Sequence, residues 1–389
     1  MSNKMRFHVL GIPHTITSKE WSVCPFTTKV WKFCHMMTKR GHHIIHYGHQ
    51  DSVVDCTEHV TIITNEDFRN AYGDYNWKKE GLYHYQNNDD YCHRKFNDNV
   101  IKPVLERLQQ GDFLLCFWGR GHEHACTEIT KDKRAILVEM GVGYALSQSF
   151  CELKIFESYA YFHEHLGSTG SSKPSWFNCV IPLSCDVSEF EVDEREKEDY
   201  FLHLGRIDRC KGLDILMKAC KDLGYKLKIA GTPINEAYKL GEVNDNVELV
   251  GCVGPEERKI LMNRAKALVQ LSDYAEPFGA AIVEAQLSGC PVITSDWGGF
   301  TETVLHGYTG YRVRSYDHLI WAMKNINSIK PDMCRKWAET NYNMNKIALM
   351  YEEYFTTLKN NIASENKWYN INEERTDLDW LKTDFTVFS

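Results

Sequence analysis

Residues Ser272 to Gly299 read SDYAEPFGAAIVEAQLSGCPVITSDWGG, and this stretch decides the fold. The apolar residues just before it predict the end of a strand, and Phe278–Leu287 predict a short helix. Pro277 suits the first helical position and Gly289 suits the helix end. Pro291–Thr294 then begin a second strand. A strand, a helix and a strand in this order are typical of a unit in a parallel sheet.

Glu284 lies inside this otherwise apolar helix, where an unpaired carboxylate is costly to bury. The helix start, at Phe278, Gly279 and Ala280, offers free backbone amides that suit an anion. Glu284 lies roughly 9 Å further along, at about 1.5 Å per residue. A nucleoside diphosphate with its phosphates at the helix start would bring its ribose diol near Glu284. Glu276 would then face a group attached to the second phosphate.

The alternative interpretation of this stretch is an ordinary βαβ unit in which Glu284 pairs with a core Lys or Arg. The stretch by itself favours neither interpretation over the other.

Composition narrows the class of protein. The chain has 389 residues, enough for two or three domains. It is 43% hydrophobic and 25% charged, as soluble globular proteins are. A net charge of −8 argues against a general nucleic-acid binder, so local cations must hold any anionic ligand. We expect no transmembrane segment and no signal peptide.

Cysteine and histidine usage argues against a metal site. The fourteen cysteines contain no C-x-x-C pair, and most lie in apolar segments. We therefore expect buried, reduced thiols in a cytoplasmic protein. The segment GHHIIHYGH carries four histidines without a carboxylate at ligand spacing, so we expect strand histidines there.

The N-terminal part resembles half of a dinucleotide-binding fold. We predict a strand over Met5–Gly11, a helix over Phe26–Arg40 and a strand from His42 to Gly48. The G-x-G-x-x-G fingerprint is missing, which disfavours an NAD-type site. Residues 50–95 are predicted to form short strands and a long loop, followed by a helix over Val100–Gln109.

Polar residues mark the expected ends of the N-terminal strands. We predict one strand over Asp112–Trp118 and another within Ala135–Tyr144 that ends near Glu139. Ligands of open α/β sheets bind beyond the carboxyl ends of strands. The candidates for ligand contact at these strand ends are accordingly Gly11, His14, His122, His124 and Glu139. Each alone is a weak signal, because a polar residue at a strand end usually only caps it.

The second half alternates strands and helices after an acidic linker over residues 188–199, which predicts a parallel, doubly wound sheet. Strands are expected within residues 200–205, 225–231, 246–251 and 267–272. Helices are expected within 212–224, 234–243, 255–266, 318–325, 332–340 and 345–358, and the tail from Glu365 is expected to wrap the surface.

The first of these strands ends in Gly205-Arg206-Ile207-Asp208-Arg209-Cys210-Lys211-Gly212. Arg206 and Lys211 flank a glycine turn and are placed to clamp a diphosphate from the side opposite the helix start. Either cation alone would more often be a solvated surface residue. Together with the two glutamates about seventy residues later, the clamp is the favoured interpretation.

These motifs resemble the retaining nucleotide-sugar glycosyltransferases of family 4. The resemblance rests on Gly205-Arg206…Lys211-Gly212 and on Glu276-Pro277-Phe278-Gly279…Glu284-Ala285, followed by Gly289-Cys290-Pro291-Val292-Ile293 and Gly298-Gly299. It implies an α/β fold of GT-B architecture, with two Rossmann-like, doubly wound parallel-sheet domains facing a central cleft. Residues 1–190 would form the acceptor-side domain, joined by the C-terminal helix and tail at about 345–389. Residues 191–344 would form the donor-nucleotide domain.

The resemblance also implies roles for the C-terminal residues. Arg206 and Lys211 would neutralise the donor diphosphate, Glu276 would bind hydroxyls of the donor sugar, and Glu284 would bind the ribose diol. The amides of Phe278–Ala280 would hold phosphate and sugar. The strand-end residues that would complete the donor site are Gly205, Gly231 and Cys252, with the last two near the base.

On the N-terminal side the sequence departs from the family pattern. Many members carry a histidine beside the sugar, where this chain has Glu139, so His122 or His124 would take that role. Gly11 and the loop after it would approach the diphosphate or the acceptor.

The implied activity is a metal-independent, cofactor-free transfer of a hexosyl or pentosyl group from a UDP- or GDP-type sugar to a glycan or small hydroxyl acceptor. The protein would be cytoplasmic and free to contact a membrane peripherally. Similar chains occur in bacteria and in large DNA viruses, and the source organism stays open. Two alternatives stay open. One is an epimerase-like sugar-nucleotide enzyme with His122, His124 and Glu139 as acid and base groups. The other is a non-catalytic nucleotide-sugar binding module.

Overall fold

The computed structural model describes residues 4–21, 24–74, 89–170, 172–175, 177–192, 197–231, 243 and 245–362. These residues divide into two compact units. The first unit contains the residues up to Glu157, the segment His165–Ile181 and the described residues from Asn345 onward. The second unit contains Ser158–Glu164 and Pro182–Met344.

A parallel sheet forms the centre of the first unit. Its described strands are β1 (Arg6–Leu10), β2 (His43–His49), β3 (Glu58–Ile63), β4 (Asp112–Cys116), β5 (Ala135–Val142), β6 (Lys154–Phe156) and β7 (Cys179–Val180). They lie in the order β3-β2-β1-β4-β5-β6-β7. The chain reverses its direction of travel across the sheet between β1 and β4, which is the switch point of a doubly wound sheet.

The first unit is more helical than the sequence predicts. Its described helices are α1 (Pro25–Lys39), α2 (Asn65–Tyr72), α3 (Tyr91–Arg107) and α4 (Glu123–Ile129), and α5 (Tyr159–Ser168) follows β6. The prediction of only strands and loop over residues 50–95 is wrong. Thr64 and Asp67 form a capping box that starts α2, and the Asp90 side chain caps α3 well before Val100.

The second unit is built on a sheet of the same kind. Its described strands are β8 (Tyr200–Leu204), β9 (Lys226–Ala230), β10 (Val247–Gly251), β11 (Ala267–Gln270), β12 (Val292–Ser295) and β13 (Gly310–Val313). They lie in the order β10-β9-β8-β11-β12-β13, so this sheet reverses between β8 and β11. The predicted α/β class with two doubly wound parallel sheets is confirmed.

Helices accompany the second sheet on both faces. The described ones are α6 (Leu213–Leu223), α7 (Pro255–Arg264), α8 (Ala280–Leu287), α9 (Phe300–Thr303), α10 (Tyr316–Asn325) and α11 (Pro331–Tyr342). The helix predicted over 234–243 and the tail from Glu365 lie outside the described residues. The last helix, α12 (Met344–Ile362), packs on the first unit, where the ring of Phe355 lies 4.8 Å from that of Phe7. None of the helices described here is both long and apolar enough for a bilayer span.

Successive residues of the second sheet belong to opposite apolar layers. Phe201, Val269 and Ile293 belong to one hydrophobic cluster, whereas their neighbours Leu202 and Leu268 belong to another. Side chains of a strand alternate between its faces, so a sheet covered on both sides has apolar residues throughout its middle. In the central strands β8, β11 and β12, the polar residues accordingly lie in the second half of the strand, at His203, Gln270, Thr294 and Ser295.

The helix in the opening stretch begins later than predicted. It starts at Ala280, so the prediction that Pro277 occupies its first position is wrong. Gly279 precedes the helix with φ of 87°, a left-handed conformation, and a Cβ there would lie 2.6 Å from the Phe300 ring. The Glu276 carbonyl is bonded by the Gly299 amide at 2.7 Å. These contacts fix the segment before Gly279 as a loop.

Candidate active site

The sheet of the second unit brings two loops together at its switch point. Because β8 and β11 are neighbours, the turn after β8 lies beside the loop after β11. The Asp273 amide donates to the Cys210 carbonyl at 2.9 Å and joins the two loops. A Cβ on Gly212 would lie 2.4 Å from the Leu271 carbonyl oxygen. Ligands of doubly wound sheets bind at this position.

Lys211 and Glu276 meet in this place as a buried ion pair. The Oε1 atom of Glu276 also accepts hydrogen bonds from the Ser272 hydroxyl at 2.8 Å and from the Tyr274 hydroxyl at 2.7 Å. The Lys211 ammonium donates to the Tyr274 oxygen at 2.6 Å. All the hydrogen bonds that Glu276 receives from described side chains go to Oε1, which leaves Oε2 available to another group.

The electrostatics of this cluster favour an ionised Glu276. Burial alone raises the pKa of its carboxyl, but the charge of Lys211 and the hydrogen bonds from Lys211, Tyr274 and Ser272 hold the pKa below its usual value. Burial and the nearby carboxylate raise the pKa of Tyr274, which stays a hydrogen-bond donor. The cluster is thus a carboxylate with a fixed cation and two fixed hydroxyls.

Glycines bring the ends of β8, β9 and β10 close together. The Gly205 amide donates to Ala230 at 3.0 Å, and the Gly231 amide donates to Gly251 at 2.7 Å. A Cβ on Gly231 would lie only 1.8 Å from the Gly205 carbonyl oxygen, so no larger residue fits there. Cys252 follows directly and is half-buried. The structure therefore brings the predicted Gly205, Gly231 and Cys252 to the same sheet edge.

The start of α8 lies next to the loop that carries Glu276. Phe278 is buried and packs its ring edge-on against Tyr342 at 5.3 Å. The amides of Phe278, Gly279 and Ala280 donate no hydrogen bond to any other described residue. An unpaired set of amides at a helix start is suited to an anion.

Arg206 and Glu284 have different surroundings. Arg206 is exposed in the turn directly after Gly205, and its charge lowers the pKa of Tyr274 against the larger effect of burial. The Glu284 carboxylate lies 3.4 Å from a guanidinium nitrogen of Arg258 on α7. The structure thus supplies the basic partner that the alternative interpretation of Glu284 required, and contact with a ribose remains a prediction.

In the first unit, the switch point between β1 and β4 brings some of the predicted residues together. The His122 ring contacts the Gly11 carbonyl at 3.0 Å. The His14 ring stacks on His93 with 5.1 Å between centroids and lies 5.0 Å from Trp118. Burial and the neighbouring His93 lower the pKa of His14, so the ring is neutral near pH 7.

His124 and Glu139 do not join this group. His124 is exposed on α4 and lies 3.4 Å from Asp98. The prediction that a strand ends near Glu139 is wrong, because β5 continues to Val142. The buried Glu139 carboxylate accepts hydrogen bonds from local groups, including the Ser149 hydroxyl at 2.9 Å. Burial and the nearby Cys116 raise its pKa.

Several residues at or beside the site carry only a weak signal in the sequence. Ser272 and Tyr274 lie in the opening stretch, and their polar character directly after an apolar strand was the available signal. His203 is a polar residue in the otherwise apolar β8. It is fully buried between β8 and β11, and its Nδ1 atom lies 3.3 Å from the Val269 carbonyl.

Comparisons with known proteins agree with this geometry. Residues 186–344 match the family model described as glycosyl transferases group 1, and this range contains the Lys211–Glu276 cluster. A D-inositol 3-phosphate glycosyltransferase from Nocardia farcinica is 29% identical over 171 residues, which are 37% of this chain and 38% of that protein. The match thus spans well under half of that relative's length.

Solved structures extend the likeness to nearly the whole chain. A sucrose-phosphate synthase from Thermosynechococcus elongatus superposes with a TM-score of 0.68 over 93% of this chain and all of that one, at 18% identity. HepE from Anabaena, in complex with UDP and glucose, gives a TM-score of 0.66 over 90% of this chain and 99% of HepE, at 15% identity. At these identities the likeness shows the fold, which is the GT-B architecture.

Proposed function

We propose that the chain is a retaining, family 4 glycosyltransferase that moves a sugar from a nucleoside-diphosphate sugar to a hydroxyl group. The observation that carries the proposal is the Lys211–Glu276 cluster at the switch point of the second sheet, beside the unpaired amides at the start of α8. The match of residues 186–344 to a glycosyltransferase family supports it.

The reaction breaks the bond between the anomeric carbon and a phosphate oxygen. Positive charge then builds on the sugar and negative charge on the leaving diphosphate. Fixed cations and amides beside the leaving oxygen stabilise this charge, because they need no reorganisation when it forms. In the proposal, Arg206, Lys211 and the α8 amides supply that field.

Glu276 would act on the sugar. Its Oε1 atom is held by Lys211, Ser272 and Tyr274, so its Oε2 atom is fixed in direction and can accept hydrogen bonds from sugar hydroxyls. We do not assign it as a covalent nucleophile. The acceptor oxygen would attack the anomeric carbon on the face that the phosphate leaves, and the acceptor proton would pass to the leaving phosphate oxygen.

We further propose that the transfer needs no metal ion, because Lys211 and Arg206 would provide the positive charge that Mg²⁺ provides in other enzymes. Activity should then survive EDTA. Full loss that Mg²⁺ restores would reject this part of the proposal and leave the transfer itself standing.

The donor is tested first by binding. A ligand that binds only the native state raises its apparent stability, so a thermal-shift panel of UDP, GDP, ADP and dTDP sugars should single out one nucleotide. The same panel on Lys211→Met, with Lys218→Met on the exposed face of α6 as control, ties the shift to the proposed site.

The reaction is tested second. With the selected donor, product should form only when an acceptor is added. We would include D-inositol 3-phosphate in the acceptor panel, because it appears in the name of the Nocardia relative. Product without acceptor would favour an epimerase-like enzyme, and tight donor binding without any turnover would favour a binding module.

A further inference from the structure

A second buried charge pair lies in the first unit. It joins Lys29 of α1 to Glu157, the residue directly after β6. Only 8% of the Lys29 side chain and 5% of the Glu157 side chain are exposed. The Lys29 ammonium also donates to the Gly141 carbonyl at 2.9 Å. Neither residue belongs to one of the sequence motifs described above.

The pair lies at the edge of the sheet where ligands bind. Gly141 is the second-last residue of β5, and Glu157 follows the end of β6, so both mark the carboxyl edge. The opposite edge has its own pair, in which Arg6 and Asp112, near the starts of β1 and β4, lie 3.2 Å apart. The first unit therefore offers a matched pair at the edge where no ligand is expected.

Two glycines lie directly against the charged pair. A Cβ on Gly141 would lie 3.1 Å from the Lys29 Cδ atom, and a Cβ on Gly143 would lie 3.0 Å from a carboxylate oxygen of Glu157. Gly141 also has φ of 58°, which favours glycine. Gly143 and Tyr144 are half-buried and Ala145 is exposed, so the backbone beside the carboxylate reaches the surface within two residues.

Aromatic rings surround the Lys29 end of the pair. The Phe26 ring centroid lies 4.3 Å from the ammonium. Phe26 in turn contacts Trp118 at 4.8 Å and Tyr144 at 5.6 Å between centroids. Aromatic walls with a few fixed polar groups are the usual composition of small-molecule sites.

A purely structural role explains these features less well. Taking two charges out of water is costly, and a buried pair is commonly replaced by apolar residues with no loss of stability. The pair also lies against two glycines and the Phe26 ring at the ligand-binding edge. A charged pair that binds a ligand explains together the burial of the two charges, the adjacent glycines and the aromatic rings.

We propose that the Lys29–Glu157 pair binds hydroxyl groups of the sugar or polyol that accepts the transferred group. Glu157 would accept hydrogen bonds from two neighbouring hydroxyls, Lys29 would fix the position of the carboxylate, and the ring faces would hold the carbon side of the ligand. This inference rests on the proposed function and adds the acceptor side to it.

The test separates acceptor binding from donor binding. Saturation-transfer NMR would measure methyl α-D-glucopyranoside, methyl α-D-mannopyranoside and myo-inositol on the wild-type protein, on Glu157→Gln and on the double variant Lys29→Met/Glu157→Leu. Calorimetry with UDP, GDP, ADP and dTDP would follow the nucleotide on the same samples. Arg6→Met serves as the control at the opposite sheet edge.

We expect at least one hydroxylated probe to bind the wild-type protein. Both Glu157 variants should weaken it roughly 10- to 100-fold, as loss of a hydrogen bond to a charged group does. Nucleotide binding should be unchanged in every sample, and Arg6→Met should bind both ligands normally. The double variant distinguishes the two roles. If the pair is only structural, the folded Lys29→Met/Glu157→Leu protein should bind the probe as well as the wild type does. If the pair binds the acceptor, this protein should bind the probe more weakly.

Three results would overturn the inference. They are a wild-type protein that binds none of the three probes, a folded double variant with unchanged probe affinity, and a Glu157→Gln protein that loses nucleotide binding along with the probe. Absence of nucleotide binding in the wild type would instead reject the proposed function. If both Glu157 variants fail to fold, Lys29→Arg is the replacement variant, because it keeps the charge but moves the hydrogen-bond donors. Unchanged probe affinity in Lys29→Arg would then overturn the inference about the acceptor.

Discussion

The ammonium of Lys211 and the carboxylate of Glu276 form one ion pair although 65 residues separate them in the chain. Their side chains are 9% and 10% exposed. The pair forms because the second sheet places β8 beside β11, so that the two loops at the switch point share one edge. Truncation of either partner leaves the other charge buried alone, which costs about 3–5 kcal/mol in other proteins.

The first prediction concerns Glu276. Glu276→Gln keeps the size of the side chain but removes its charge, and we expect turnover to fall roughly 100-fold or more, as when a fixed electrostatic group is lost. The turnover of Glu276→Ala should fall at least as far. Initial rates with the donor selected by thermal shift measure this, and circular dichroism checks the fold. Ser272→Ala, which removes one hydrogen bond to Oε1, should lose much less. Unchanged turnover in Glu276→Gln would remove the residue from the site.

The second prediction concerns Lys211. Lys211→Met should weaken binding of the nucleoside diphosphate roughly 10- to 100-fold, because a charge-assisted contact to phosphate is lost. The double variant Lys211→Met/Glu276→Leu should regain stability, since no buried charge is left unpaired, but should not regain binding. Calorimetry measures both, with Lys218→Met as control. Equal affinity in Lys211→Met would contradict the diphosphate clamp.

The second unit could be predicted largely from the sequence. Its strands and helices alternate in short, clear segments, and a doubly wound order follows from that rhythm. The order alone brings the turn that ends in Lys211 to the loop that carries Glu276. Spacing could not reveal the contacts of the Tyr274 hydroxyl, because these depend on how two loops distant in sequence fold against each other.

The first unit was harder to predict for two physical reasons. The starts of helices α2 and α3 are set by the side-chain caps of Thr64 and Asp90, and both helices have a polar composition. The Lys29–Glu157 pair joins residues 128 positions apart (157 − 29), and neither lies in a motif. A carboxylate in an apolar segment predicts a strand end at Glu139, whereas local hydrogen bonds satisfy this carboxylate inside β5.

The third prediction concerns Gly231. Gly231→Ala would bring a Cβ to 1.8 Å from the Gly205 carbonyl oxygen, so the turn that carries Arg206 must move. We expect nucleotide affinity to fall at least tenfold, because the displaced turn no longer holds the nucleotide. A tenfold loss corresponds to about 1.4 kcal/mol of binding free energy. Gly254→Ala is the control, since a Cβ there meets nothing within 4 Å. If calorimetry gave the two variants the same affinity, the Gly205 turn would have no part in holding the nucleotide.

The last prediction concerns stability at acid pH. The pKa of His203 is lowered to about 4, mainly by burial and also by the charge of Lys211, although the backbone of Val269 and Arg206 and the charge of Glu276 raise it. A histidine of the unfolded chain takes up its proton near pH 6.5. Between these values the unfolded state binds more protons, so stability falls as pH falls, by up to about 1.4 kcal/mol per pH unit. The melting temperature should therefore fall from pH 7 to pH 4.5 and fall less steeply in His203→Phe, which cannot titrate. If the melting temperatures of the wild type and of His203→Phe followed parallel curves against pH, His203 would not be neutral and buried in the folded state.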